Sequence, residues 1–122
     1  MGIQLIKRGS HKSDVAKMRA IIERNGRVVL AADRGSGPDL VVLTGAGKRV
    51  AIEVERTLKG AAKYKKKLKE YWDLLLIGEL DAVLYLCPNV AGVVLLRRLF
   101  QRHGLNAMTR VTVATYGLVY EL

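Results

Sequence analysis

The run AVLYLC, residues 82–87, constrains the chain most, with Asp81 before it and Pro88 after it. Six consecutive apolar residues without alternation read as a short strand buried on both faces. The segment DLVVL, residues 39–43, is nearly as apolar. Neither strand can leave a face in water, so helices must cover both sides of the sheet that holds them. The expected class is therefore α/β, with a mixed central sheet flanked by helices.

The rest of the chain supplies the remaining elements. Ser13 is a candidate cap for a helix running to about Asn25, in which Val15, Met18, Ile21 and Ile22 recur at helical spacing and Gly26 is a stop. RVVLAA (27–32) reads as a strand and DRGSGP (33–38) as a loop. DLVVL and RVAIEVE form a hairpin around TGAGK. A long helix is expected from Thr57 to about Ile77 and a second from Ala91 to His103, ended by Gly104. VTVAT (111–115) is a further strand, with LVYEL a candidate last one. The expected order is α-β-β-β-α-β-α-β, in a chain whose 122 residues suit one domain with a single core.

Charge narrows the choice of partner. Twenty-one Lys and Arg against eleven Asp and Glu give a net charge of +10. Such a surplus points to a polyanion, with nucleic acid first and an anionic membrane surface second, although a basic chain can also be only a soluble one. The longest uncharged run, Ala82 to Leu96, is fifteen residues broken by Pro88, too short to span a bilayer. Lys7 and Arg8 interrupt the N-terminal segment before a signal-peptide core can form, so a cytoplasmic location is expected. The lone cysteine, Cys87, reads as a buried core thiol. His11 and His103 are isolated and are not assigned to a site.

Against this basic background, Asp39, Glu53 and Glu55 stand in strand-like segments. If the hairpin pairs symmetrically about Ala46, Asp39 faces Glu53 across the ladder with Cβ atoms about 5 Å apart. Side chains alternate faces, so Glu55 joins Glu53. Three carboxylates that close need a cation or protons in a protein interior. Oxygen-only ligands select a hard ion, Mg²⁺ or Mn²⁺. The competing reading pairs these acids with the many lysines as surface salt bridges.

The order helix, strand, "GSGPDLVV", "VAIEVE" and then a basic helix resembles the PD-(D/E)XK nuclease superfamily, with its restriction-endonuclease-like αβββαβ core. The resemblance covers about residues 12–87 and leaves a C-terminal extension, 88–122. In size and order the chain is similar to archaeal Holliday-junction resolvases. "IEVERTLKGAAKYKKKLKEYW" followed by "AVLYLCP" also resembles the nuclease-like domain of plasmid replication-relaxation proteins. The resemblance implies a metal-dependent DNA endonuclease, with Asp39, Glu53, Glu55 and the Val54 carbonyl around Mg²⁺ or Mn²⁺. It further implies an assisting acid on the first helix, matched by Asp14 in "KSDVAKM", and a loop serine, matched by Ser36 in "RGSG" beside Arg34. The chain departs from the motif at its third residue, where Glu55 stands in place of lysine. A non-catalytic DNA-binding accessory of plasmid or mobile-element replication or transfer, keeping the fold, is the alternative.

KGAAKYKKKLKEY carries Lys59, Lys63, Lys65, Lys66, Lys67 and Lys69 within eleven residues. Most must project into solvent, suiting phosphate contact without sequence readout, and Lys59, Lys63, Lys66 and Lys67 are assigned to DNA with Arg34 and Ser36. Tyr64, Tyr71 and Trp72 are expected in the core. Taking Ala61, Leu68, Trp72 and Leu75 as the inward stripe puts Lys65 on it, either as the substitute for the motif lysine or as a structural salt bridge to Glu53 or Glu55. The ending VTVATYGLVYEL offers a sheet edge or apolar surface to a two-fold partner, so a homodimer is part of the expectation.

Overall fold

A computed structural model of the chain describes residues 2–32, 37–106 and 109–122. Its elements are β1 (Ile3–Gln4), α1 (His11–Arg24), β2 (Val28–Ala32), β3 (Leu40–Leu43), β4 (Arg49–Val54), β5 (Thr57–Leu58), α2 (Ala61–Leu76), β6 (Ala82–Cys87), α3 (Val90–Arg102) and β7 (Val111–Thr115), with a 3₁₀ segment over Tyr116–Glu121. Five strands form one mixed sheet in the order β2-β3-β4-β6-β7. β2, β3 and β4 are antiparallel neighbours, while β6 runs parallel to both β4 and β7. The protein is thus α/β with a mixed central sheet covered by helices, as the apolar strands require.

Both faces of the sheet bury apolar side chains, although the edge strand β2 is largely exposed. On one, Met18 and Ile22 of α1 and Val119 of the 3₁₀ segment pack on Leu40, Val42, Val50, Ile52, Val54, Leu84 and Leu86. On the other, Tyr64, Leu68, Tyr71 and Leu75 of α2 and Val93, Leu96 and Phe100 of α3 pack on Ala51, Val83, Tyr85 and Val113. Right-handed β–α–β crossovers explain this division, because two that advance in one direction across a sheet put their helices on the same face. Gly92 brings α3 close: a Cβ there would stand 2.9 Å from Leu5 Cδ1 and 3.1 Å from Cys87 Cβ.

The hairpin register is the symmetric one. Leu40 pairs with Ile52, Val41 with Ala51, Val42 with Val50 and Leu43 with Arg49. Its turn is closed by Thr44, whose N–H donates to the Lys48 carbonyl at 2.8 Å and whose Oγ1 accepts the Lys48 N–H at 3.1 Å. Gly47, at φ +78°, supplies the left-handed residue that the turn needs.

Four local expectations are corrected. The first helix starts at His11, because Ser10 rather than Ser13 is its cap, accepting the Ser13 N–H at 3.1 Å. Thr57 and Leu58 are not helical: they pair with Gln4 and Ile3 in a small separate sheet, and α2 starts only after Gly60. The last segment is 3₁₀ rather than strand, folding back onto α1. Trp72 is 44% exposed, and the buried stripe of α2 runs through Tyr64, Leu68, Tyr71 and Leu75. Among the described residues, no helix is long and apolar enough to cross a membrane.

Candidate active site

Alternation along β4 sends Ile52 and Val54 into the α1 side of the core and Ala51 into the α2 side. Glu53 therefore points towards α2. Past the end of β4 the chain stays beside β6, with the Glu55 N–H donating to the Leu86 carbonyl at 2.8 Å. Glu55 consequently emerges on the same face. Asp39 sits just before β3, opposite Glu53 when the ladder is continued. Its Oδ2 accepts the Val54 N–H at 2.7 Å, taking the part of a ladder carbonyl at the strand's end. All three acids are buried and line one cavity of about 250 Å³ with His11, Gly37, Lys59, Lys63, Tyr64, Lys67 and Tyr85.

Each carboxylate has defined partners. His11 Nε2 lies 3.0 Å from Asp39 Oδ2. The Tyr71 hydroxyl donates to Glu53 Oε1, which also has Lys67 Nζ at 3.7 Å. The Tyr64 hydroxyl donates to Glu55 Oε2 at 2.7 Å, and Lys59 Nζ lies 3.1 and 3.0 Å from the two Glu55 oxygens. Lys67 Nζ further donates to the Gly37 carbonyl at 3.2 Å. Burial, only partly offset by Tyr71 and Lys67 and reinforced by Asp39, pushes the Glu53 carboxyl up to about 7. Burial also raises Glu55, against the pull of Lys59 and Tyr64. The cavity thus favours whatever neutralises these acids, a proton or a cation.

The donors suit a hard cation better than their arrangement does. Three carboxylates share one cavity, and the buried Tyr85 hydroxyl that also lines it has no hydrogen-bond partner among the described residues. Yet among the described residues no group of three or more His, Cys, Asp or Glu side chains is arranged to hold a metal ion. Lys59 and Lys67 bring positive charge to Glu55 and Glu53 instead. A cation entering here must draw the carboxylates inward and displace those ammonium groups.

Other sequence-derived assignments fare differently. Asp14 does not line this cavity. It pairs at 2.6 Å with Arg56, a buried guanidinium that also bonds the Ile6 and Arg8 carbonyls, and it accepts the Tyr116 hydroxyl at 2.8 Å. A buried arginine needs a counter-charge, and Asp14 is it. Lys65 is exposed, because the true inward stripe lies one residue round the helix from the expected one; Lys59 and Lys67 are the lysines that reach the acids. Lys63 lines the cavity, Lys66 is exposed, and Val54 contributes its N–H while its side chain packs in the core. Arg34 and Ser36 lie outside the described residues. Cys87 is buried and free, its thiol pushed up to about 12 by burial, as suits a core residue.

Sequence reasoning missed His11, and took Tyr64 and Tyr71 for plain core residues. Their spacing of two helical turns offered a signal, since phenols on one stripe beneath buried acids make natural donors. A wider and more open depression of about 700 Å³ lies at the turn end of the hairpin, lined by Arg27, Lys48, Arg110 and others, away from the acids. No protein family, no curated protein and no solved structure was found to match this chain.

Proposed function

We propose that this protein is a divalent-metal-dependent DNA endonuclease acting on branched DNA, in the manner of the Holliday-junction resolvases its sequence resembles. The observation that carries the reading is the convergence of Asp39, Glu53 and Glu55, from both arms of one hairpin, on a cavity lined by Lys59, Lys63 and Lys67. Asp39, Glu53, Glu55 and the Val54 carbonyl would hold Mg²⁺ or Mn²⁺, which when bound supplies Lewis acidity and an activated water for phosphodiester hydrolysis. The protein's own residues do the rest. His11 and the Val54 N–H orient Asp39; Tyr71 and Tyr64 orient Glu53 and Glu55. The lysines of α2 neutralise backbone phosphates, and Lys67, beside Glu53, is the cation that stands in for the absent motif lysine.

A second reading has its own observation. Every acid in the cavity already has a phenol, imidazole or lysine partner, as a purely structural polar network would. On that reading the protein is a DNA-binding accessory of mobile-element replication or transfer that performs no cleavage. Labelled four-way junction, duplex and single strand, each incubated with Mg²⁺ or Mn²⁺ and with EDTA, separate the two. Metal-dependent nicking supports the enzyme. Tight binding with no product on any of them supports the accessory.

A further inference from the structure

Tyr85 is 1% exposed, yet among the described residues its hydroxyl is the one buried side-chain polar group without a hydrogen-bond partner. Its ring cannot easily turn away. It packs edge-on against Tyr64, Tyr71 and Phe100, with ring centroids 6.0, 6.5 and 5.5 Å distant. On β6 it pairs in register with Glu53 of β4, so both side chains leave the sheet on the α2 face, and both line the acidic cavity. The neighbouring phenols make the contrast: Tyr71 donates to Glu53 and Tyr64 to Glu55. Packing alone would be served as well by phenylalanine, and a buried hydroxyl left unpaired is costly.

We propose that the Tyr85 hydroxyl is held in reserve for the hydration shell of a divalent cation in this cavity. Asp39, Glu53 and Glu55 would hold such a cation, and the Tyr85 hydroxyl would hydrogen-bond one of its waters. A hard cation such as Mg²⁺ sheds its waters reluctantly, so its shell needs protein partners beyond the direct ligands. Water suits this hydroxyl better than substrate phosphate does. The lysine side chains of Lys59 and Lys67 are 44% and 25% exposed and would meet an incoming phosphate first, whereas Tyr85 is buried. Tyr85 is on this account a positioning residue. The inference rests on the metal-dependent reading above.

The test is Mn²⁺ binding to Tyr85→Phe, followed by the loss of the free-ion electron paramagnetic resonance signal, together with thermal melts of the EDTA-treated protein. The variant should bind Mn²⁺ about three- to tenfold more weakly, the worth of one hydrogen bond, while its metal-free melting temperature is unchanged or higher. Mn²⁺ affinity equal to wild type would overturn the inference and leave Tyr85 a packing residue. A lower metal-free melting temperature would overturn it too, because the hydroxyl would then already have a partner. Wild-type protein that binds no Mn²⁺ removes both the inference and the metal-dependent reading. Wild type that binds Mn²⁺ but nicks no DNA removes only the nuclease reading, and the comparison with Tyr85→Phe still decides this one.

Discussion

Asp39, Glu53 and Glu55 could be found from sequence because an acid in an apolar strand conflicts with its surroundings, and because the period of two places Glu53 and Glu55 on one face. His11 and Tyr85 could not, since they reach the cavity through a helix start 28 residues from Asp39 and through a parallel strand pairing that no local pattern encodes. The pairing of Asp14 was hidden for a related reason: its partner Arg56 comes from the far side of the hairpin. Removing that partner strands a buried charge. Arg56→Ala should destabilise the protein by about 3 kcal/mol in urea unfolding, and Asp14→Leu combined with Arg56→Leu should recover part of the loss. Glu53 supplies a pH signature. Burial pushes its carboxyl up to about 7, against the ordinary 4.5 of the unfolded chain. Between those values the folded state holds more protons, so stability falls as pH rises through that window and levels off above it, by up to about 3 kcal/mol. Urea titrations of EDTA-treated protein at intervals from acid to mildly alkaline pH check this. Glu53→Gln should flatten the dependence, leaving the share due to Glu55, whose carboxyl is also raised by burial.

The elements were legible where burial alone determines them. AVLYLC and VTVAT occupy their expected residues, and the symmetric hairpin has the expected register. The two-residue strands β1 and β5 were illegible because main-chain pairing defines them and side-chain periodicity does not. The phase of α2 is the instructive error. Leu68 and Leu75 fit stripes through either Tyr71 or Trp72, and the choice falls to Tyr71 because its hydroxyl, like that of Tyr64, finds a buried acid. That rotation carries Lys65 out to solvent and leaves Lys67 beside Glu53. On the proposed reading, Lys67→Met should lower single-turnover cleavage at least about tenfold at saturating DNA. Lys65→Met and Lys66→Met should leave that rate intact, each reducing the slope of log affinity against log salt by up to about 0.9 if its ammonium meets a phosphate. Equal behaviour of all three variants would make Lys67 one more phosphate contact.

For the whole molecule, a net charge of +10 and a lysine-rich helix beside an acidic cavity separate two tasks. On the proposed reading the helix would hold a polyanion in place, and the hairpin would present carboxylates to it. Acids facing a phosphodiester would repel it unless a cation lay between, so three of them in this cavity favour the proposed cleavage over binding alone. On the proposed reading these carboxylates serve cleavage. The most direct measurement is single-turnover nicking of a labelled four-way junction, with DNA affinity measured alongside, for wild type, Asp39→Asn and Glu53→Gln. With Mg²⁺ or Mn²⁺ the wild type should nick and both variants should not, while their binding stays similar or tightens as negative charge facing phosphate is removed. Variants that cut at the wild-type rate, or a wild type inert on junction, duplex and single strand alike, would contradict the account.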